Sequence, residues 1–403
     1  TLDGFVTNLE ASNYIRNYML WGARIIQGGA VPDAGFVVRD NTLVEANFTA
    51  DPTRQYGIYD QISRPGDESG SEYLSAAFEW IMNDRWSFSG QVGTSEGYGR
   101  TPTQDVAEWD LGLGTGAAWK LHGVGAADWN LGTTNTSQPG APLEDMKLDW
   151  IFGNQDVDVE DTEDWIQLDS QVQIDSSWLN SIDFGVRYAD HGRHLDQVTA
   201  QGPACKDSSG NTVGWDWSQQ FYCPEGAQSP FDPANWPQDY RNYPSDFGSG
   251  LGGSFPRDIW YYSARDLAVY NELTDRDPVT RFYYPAVYGL DETSTAAYVQ
   301  FNMSGLRWSG NIGLRYVNTE EDVTNYVNAS WEDPDAITTS AFGPFKAVNT
   351  THDYDDWLPT FNFRYNLTDD MDLRFAATRT LARADYSALA GSVSLQPPAV
   401  EGE

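Results

Sequence analysis

The residues best suited to bind a solute lie between positions 205 and 265, in a stretch without strand periodicity. Aromatic rings are concentrated there among Asp, Asn, Gln and Arg side chains: Trp215, Trp217, Phe221, Tyr222, Trp236, Tyr240, Tyr243, Trp260, Tyr261 and Tyr262. Flat rings stack on the apolar faces of sugar rings, and a few polar groups among aromatics are typical of a ligand site. The alternative is that these rings pack the loop onto itself or lie at a membrane interface.

Two cysteines, Cys205 and Cys223, lie in the same stretch. They are poor zinc ligands, because no histidine is close to them in the sequence. We therefore expect a disulfide bond and an oxidising compartment. In the chain-entropy model such a bond stabilises a loop of this length by roughly 3 kcal/mol.

No group of residues has the spacing of a catalytic site, whether nucleophile elbow, phosphate loop or zinc-protease helix. His191 and His194 follow a predicted strand, in which this spacing places them on opposite faces, so we expect a solvated strand end rather than a metal site. The acidic run 156–164 is predicted to be a solvated loop, with calcium binding as the alternative. We expect neither an enzyme nor a bound metal or cofactor.

Strands must position these groups, and the clearest strand pattern is in residues 353–381. In its first arm Pro359, Phe361, Phe363, Tyr365 and Leu367 share one face, and Thr360, Asn362, Arg364 and Asn366 share the other. A polar turn at 368–370 leads to a second alternating arm, so the pattern predicts an antiparallel hairpin. An apolar face backed by a polar face is typical of a membrane barrel, with lipid outside and water inside.

Similar alternation occurs near 74–92, 166–188 and 299–316. Four connections are short, at 83–85, 175–180, 304–307 and 368–370, and the others run to dozens of residues. Short periplasmic turns and long extracellular loops are typical of outer-membrane barrels. The polar face carries three arginines that we expect to be structural, paired with a plug or with neighbouring strands, a substrate path being the alternative: Arg187, Arg315 and Arg364.

The remaining segments are predicted from local signals. Residues 1–35 contain turns and one strand at most, and residues 36–50 form a hairpin that turns at Asp40-Asn41. Residues 51–70 and about 320–352 are predicted to be loops, and 190–265 a long extracellular loop. The fold class is therefore all-β, a transmembrane antiparallel β-barrel.

The composition excludes some classes of partner. With 59 acidic and 24 basic residues, the formal net charge is −35. A nucleic-acid partner is excluded because the phosphate backbone needs basic contacts. Polyanionic ligands are mildly disfavoured by long-range repulsion. No apolar run approaches the roughly 18–20 residues that a membrane-spanning helix needs.

Three segments resemble the late barrel region of TonB-dependent outer-membrane receptors, at 179–190, 296–320 and 354–383. The resemblance is closest to the proteobacterial branch associated with carbohydrate uptake. It implies a segment of a 22-stranded plugged barrel in the bacterial outer membrane, surrounded by lipid and lipopolysaccharide. It also implies active import powered by the inner-membrane TonB complex, with an oligosaccharide as solute. A ferric siderophore or cobalamin is the alternative solute, and a passive porin or surface adhesin the alternative class.

The sequence departs from the family pattern in several places. Ala384 follows Arg383 where the family usually has Arg-Pro, and no plug, TonB box or closing aromatic residue is visible. We therefore expect residues 1–403 to be part of one barrel domain, without the plug and the terminal strands.

Overall fold

The computed structural model describes residues 1–51, 53–54, 56–111, 116–131, 147–148, 151–202, 204–215, 223–228, 240–257, 259–272, 274–383 and 385–386. The strands are β1 (Leu2–Leu20), β2 (Val37–Arg39), β3 (Thr42–Phe48), β4 (Gly57–Ile81), β5 (Trp86–Thr101), β6 (Asp105–Leu111), β7 (Ala117–Lys120), β8 (Asp128–Asn130), β9 (Lys147–Leu148), β10 (Ile151–Gln173), β11 (Leu179–Gly202), β12 (Ala204–Lys206), β13 (Thr212–Trp215), β14 (Tyr240–Asn242), β15 (Trp260–Tyr262), β16 (Tyr288–Ser304), β17 (Trp308–Asn328), β18 (Phe345–Asn366) and β19 (Asp372–Thr378). The helices are α1 (Gly22–Gln27) and α2 (Ala264–Asn271), with 3₁₀ turns at Ser249–Leu251 and Tyr284–Ala286. None of the described helices is long and apolar enough to cross a membrane.

The long strands form one antiparallel sheet in the order β1-β4-β5-β10-β11-β16-β17-β18-β19. Two short strands, β6 and β9, complete its eleven strands beside the upper half of β4. Long strands that follow one another in the sequence lie next to each other in the sheet, so the sheet is an up-and-down meander. This arrangement confirms the predicted all-β antiparallel fold.

The sheet has an apolar outer face. Large side chains on this face remain exposed to the surroundings: Leu74, Phe78, Trp80, Val92, Ile166, Leu168, Phe184, Val186, Ile312, Leu314, Trp357 and Phe361. They form continuous rows across the strands, as where Val92 lies opposite Ile166 and Ile166 opposite Tyr188. Such a face needs an apolar solvent, and lipid supplies it.

The opposite, inner face is polar. It is formed by the alternate residues of the same strands, among them Ser89, Gln91, Gln167, Asp169, Asp183, Arg187, Gln300, Asn302, Asn311 and Arg315. Because side chains alternate along a strand, one register fixes both faces at once.

All four predicted short turns are present. They connect β4 to β5, β10 to β11, β16 to β17 and β18 to β19. The predicted hairpin at 36–50 is also confirmed as β2 and β3, with Asp40 at φ 48° and Asn41 at φ 58°. Asn and Asp tolerate this left-handed conformation better than most residues, and a two-residue hairpin turn of this type requires it.

Several predicted loops are wrong because the strands continue into them. β4 begins at Gly57, inside the segment 51–70 that we predicted to be a loop. β11 continues to Gly202, so only part of 190–265 is irregular. β17 and β18 reach far into 320–352, leaving 329–344 between them.

Two further segments are more regular than predicted. The acidic run 156–164 lies within β10 rather than in a loop, and pairs with β5 and β11. Residues 1–35 contain the 19-residue strand β1, which pairs with β4 over almost its whole length. Beyond the membrane both faces of a strand are wet or covered by loops, so the hydrogen-bonded ladder continues after the apolar alternation has ended.

Beyond the lipid-facing region lies a second, buried cluster, which we call the loop core. Its fully buried members are Ile25, Ala46, Phe48, Tyr56, Tyr59, Val106, Ala107, Trp109, Leu111, Ala117, Leu131, Ile259, Trp260, Tyr262 and Leu267. They come from β3, β4, β6, β7, β15, α1, α2 and the adjoining connections. The loop core therefore fastens the long connections to the upper part of the sheet.

Candidate functional site

The ribbon formed by β14 and β15 separates the predicted binding aromatics into two groups. Trp260 lies opposite Asn242, and Tyr261 lies opposite Arg241. Successive residues of a strand point to opposite faces. Trp260 and Tyr262 therefore share the face that enters the loop core, and Tyr261 lies on the other face.

Trp260 and Tyr262 are both 0% exposed. The Trp260 ring contacts the rings of Trp109 at 5.1 Å and Tyr59 at 5.4 Å, both edge to face. The Tyr59 hydroxyl donates a hydrogen bond to the Trp260 carbonyl oxygen at 2.6 Å. Neither buried ring is accessible to a solute in this structure. In the structure both rings pack into the loop core, as in the alternative that we gave for this segment.

Gln61 connects the ribbon to β4. Its buried side-chain oxygen accepts hydrogen bonds from the Tyr262 backbone N–H and the Tyr14 hydroxyl, each at 2.8 Å. A buried amide with these partners positions the ribbon directly over β1 and β4. Sequence reasoning did not identify Gln61, because a glutamine in a predicted loop carries no signal of burial.

Tyr261 and Tyr243, two of the predicted candidates, are half-buried and meet at a ring distance of 5.1 Å. Beside them lies the guanidinium of Arg16 from β1, which is 3.8 Å from the Tyr261 ring, 5.5 Å from the Tyr243 ring and 4.0 Å from the Tyr14 ring. Stacking of a guanidinium on aromatic faces is attractive. We call Tyr14, Arg16, Arg241, Tyr243 and Tyr261 the Tyr-Arg patch.

Arg16 was missed in the sequence because it is more than 200 positions away from Tyr243 and Tyr261. Only the pairing of β1 with β4, which places Arg16 opposite Gln61, brings them together. Burial raises the pKa of Tyr14 to about 12. The Tyr14 hydroxyl therefore stays protonated at physiological pH, and it leaves the charge of Arg16 uncompensated.

The other predicted aromatic candidates cannot be placed as contacts. Trp217, Phe221, Tyr222 and Trp236 lie outside the described residues. Trp215 ends β13 and Tyr240 begins β14, and only their backbone positions are described.

Cys205 and Cys223 form a disulfide bond, with their Cα atoms 5.4 Å apart. Cys205 is fully buried in β12, which pairs with β13 as a hairpin. The bond joins this hairpin to the chain 18 residues later.

The three predicted inner-face arginines have different surroundings. The Arg187 guanidinium contacts Glu163 of the adjacent strand at 2.6 Å. The Arg364 guanidinium contacts Asp372 at 3.2 Å. Arg315 lies opposite Tyr298 in the register between β16 and β17.

A larger polar cluster lies above Arg187 on the inner face. Asp161 accepts from the Arg193 guanidinium at 2.8 Å and contacts the His191 ring nitrogen at 3.0 Å. Arg383, beyond β19, pairs with the almost fully buried carboxylate of Glu292. His194 lies on the opposite face from His191 and contacts Asp196. Among the residues that the structure describes, no group has the arrangement of a metal site.

A buried ion pair fixes the connection after α2 to β6. The Asp105 carboxylate is 3% exposed and contacts the Arg276 guanidinium at 2.9 Å. Arg276 also donates to the Thr103 hydroxyl at 3.0 Å. Burial raises the pKa of Asp105 above its ordinary 3.8, and Arg276 opposes part of that rise.

This raised pKa predicts a pH dependence of the loop core. A carboxyl whose pKa is higher in the folded state stabilises that state below its ordinary pKa, and this contribution is lost as the pH rises through the folded pKa. We expect protection of the β6 amides from hydrogen exchange, corrected for the intrinsic rate, to fall from pH 4 towards neutral pH. Asp105→Asn should abolish this fall, and an unchanged pH profile would contradict the assignment.

A matched control is Asp277→Asn. Backbone N–H groups of Thr280 and Val279 donate to the exposed Asp277 carboxylate and lower its pKa. Its contribution is present above its ordinary pKa and is lost as the pH falls, so this variant should change the pH profile in the opposite direction.

Comparison with known proteins places the chain in a family. The family described as "TonB dependent receptor-like, beta-barrel" matches residues 114–402. No curated protein matches the chain.

Three solved structures are similar to the chain at low sequence identity. The ferric citrate transporter FecA in the unliganded form is 11% identical, with a TM-score of 0.28, covering 82% of this chain and 39% of that chain. The siderophore receptor PiuA from Acinetobacter baumannii is 12% identical, with a TM-score of 0.30, covering 90% and 38%. The ferric-catecholate import receptor Fiu from E. coli K12, in an open form, is 10% identical, with a TM-score of 0.31, covering 94% and 54%.

The chain therefore spans between 38% and 54% of the length of these receptors. The family match is of a different kind, because it extends over more than half of the chain and includes the strands from β10 to β19. The chain belongs to the TonB-dependent receptor-like β-barrel family, whose members lie in the outer membrane of Gram-negative bacteria.

Proposed function

We propose that the protein to which this chain belongs imports a scarce solute across the outer membrane, and that this solute is an oligosaccharide. Family membership supports the import, since TonB-dependent receptors are transporters rather than enzymes. On this proposal a plug closes the barrel, and the inner-membrane TonB complex acts on that plug. Lipid and lipopolysaccharide surround the outer face.

The observation that carries the choice of solute is the inner face near the periplasmic turns. The Tyr298 hydroxyl donates to Asp169 at 2.9 Å, the Gln171 amide to Asp183 at 2.9 Å, and the Asn302 amide to Asp183 at 2.7 Å. Amides, carboxylates and phenols in a row provide donors and acceptors side by side, which is what a chain of sugar hydroxyls requires.

Three inner-face arginines support the same choice. Arg187, Arg193 and Arg383 each contact a carboxylate, at Glu163, Asp161 and Glu292. Their charges are thus neutralised by the protein itself, so they add little attraction for a strongly anionic ferric chelate. The aromatic Tyr-Arg patch, at the extracellular end, offers the flat surfaces on which sugar rings stack.

A binding panel tests this function. The full-length receptor is titrated with neutral and acidic oligosaccharides, cobalamin and ferric siderophores, and binding is measured by calorimetry and Trp fluorescence. We expect sugar binding with a fluorescence change. Binding of siderophores or cobalamin alone would be consistent with the fold and the import mechanism, but it would contradict the proposal that the solute is an oligosaccharide.

A second class, a passive porin or a surface adhesin, makes a different prediction. Uptake by cells would then be unaffected by collapse of the proton-motive force. Loss of uptake under that treatment would exclude this class.

A further inference from the structure

Two arginines of the Tyr-Arg patch have no acidic partner among the described residues. No carboxylate of the described chain lies within 4.0 Å of Arg16 or Arg241, although the protein has 59 acidic residues against 24 basic ones. Most described inner-face arginines, by contrast, are paired. Arg16 and Arg241 differ from the other arginines without an ion pair because they lie together among aromatic rings.

The groups that do surround Arg16 are neutral. Its Nη1 donates to the Tyr243 hydroxyl at 3.3 Å, and its Nε is buried and has no hydrogen-bond partner. Aromatic rings and phenol hydroxyls orient a guanidinium but do not neutralise its positive charge. Burying a hydrogen-bond donor without an acceptor destabilises the structure, and a bound ligand that accepts a hydrogen bond from it would remove this cost.

Arg241 stands beside Arg16 on the same surface. It lies opposite Tyr261 in the β14–β15 ribbon, and directly opposed residues of two antiparallel strands point to the same face. Tyr261 in turn contacts Arg16. Arg241 is exposed, and the neighbouring Phe247, which stacks on Tyr243 at 4.4 Å, is 42% exposed, so the patch is open to a solute.

The position of the patch excludes the bilayer as its partner. Arg16 lies opposite Gln61, which is about 20 residues along β4 from the end of that strand at Ile81. At about 3.3 Å per residue and a tilt of about 45°, the patch lies roughly 45 Å from the periplasmic end, well beyond an apolar band about 25 Å tall.

We propose that Arg16 and Arg241 bind a carboxylate of the imported sugar, so that the solute is an acidic oligosaccharide containing uronic acid residues. Two guanidinium groups supply charge-assisted hydrogen bonds to the carboxylate. Tyr243 and Tyr261 stack on the ring that carries it. This inference rests on the proposed import of an oligosaccharide and names the chemical class within it.

The test compares two sugars that differ only in charge. The full-length receptor is titrated with a galacturonate trisaccharide and with the same trisaccharide after reduction of its carboxyl groups. We expect the acidic sugar to bind about tenfold tighter or more, with a preference that weakens at high salt. Arg16→Gln and Arg241→Gln should each remove most of this preference, and Arg16→Lys should retain part of it.

Arg265→Gln is the matched control, because Arg265 is an exposed arginine of α2 outside the patch. Arg241→Gln changes an exposed side chain, so it tests the site even if Arg16→Gln disturbs folding. Equal affinity for both sugars, unchanged in the variants, would overturn the carboxylate site and leave the import of oligosaccharides standing. Binding of ferric chelates without binding of either sugar would overturn both. Competition by purified lipopolysaccharide that requires Arg16 would assign the patch to the cell surface and overturn the site.

Discussion

Replacing Trp260 by alanine should open the loop core while the strands in the membrane stay paired. The side chain is 0% exposed and packs against Tyr59, Trp109 and Tyr262. Truncation of a buried tryptophan to alanine typically costs about 3–5 kcal/mol, since the cavity left behind collapses only in part. We expect hydrogen exchange of the β15 and β6 amides in the full-length receptor to accelerate by about 100-fold or more.

Tyr261→Ala is the control, because Tyr261 is adjacent in sequence but points to the Tyr-Arg patch. Its loss should leave exchange in β6 nearly unchanged while weakening sugar binding. The two variants thus distinguish packing from contact. If Trp260→Ala left exchange untouched and reduced only affinity, the loop core would not be the unit that holds β15.

A charge placed on the outer face should prevent the sheet from entering the membrane. Leu314 is 38% exposed and lies opposite Val299 and Pro359, in the middle of the apolar face. An arginine facing lipid near the middle of the bilayer costs about 2–4 kcal/mol in a barrel. We expect Leu314→Arg to reduce strongly the amount of folded receptor in outer-membrane fractions, measured by heat-modifiable gel mobility.

Asn311→Arg provides the comparison. Asn311 lies on the inner face of the same strand, opposite Asn302 and Asn362. An arginine there meets water and polar groups, so folding should be close to normal. Equal folding of the two variants would mean that the two faces are wrongly assigned.

The membrane part of the fold was predictable because lipid imposes a strict rule on the sequence. In β18, Phe361 and Phe363 had to alternate with Asn362, since one face meets lipid and the other water. The four short turns were predictable as short breaks between the alternating arms. Asp40 and Asn41 were predictable as a turn for a different reason, namely their tolerance of the left-handed conformation.

The strands beyond the membrane were not predictable by that rule. In β4, Ile58 and Tyr59 are successive and both buried, because loops cover both sides of the strand there. In β10, acidic residues occupy both faces, because both faces are wet. A period of two appears only where the two faces have different surroundings.

The candidate site was predicted in part. The aromatic composition of 205–265 indicated the segment. It did not show which of the adjacent aromatic residues Trp260 and Tyr261 is buried, because that depends on the face of the ribbon that each occupies. Arg16 could not be found, because its neighbours are set by strand pairing over long range.

The order of the strands also bears on how the protein assembles. Four of the eight pairs of neighbouring long strands are joined by short turns, so their pairing closes small loops. The longest connection is the one between β11 and β16, which pair across residues 203–287. Relative to the five-residue turn after β10, closure of this connection costs roughly 2–3 kcal/mol more in chain entropy. The Cys205–Cys223 bond shortens the free part of the connection. By the same relation this shortening lowers the closure cost by about 0.2 kcal/mol, so oxidation before insertion should accelerate the joining of the two halves of the sheet only slightly.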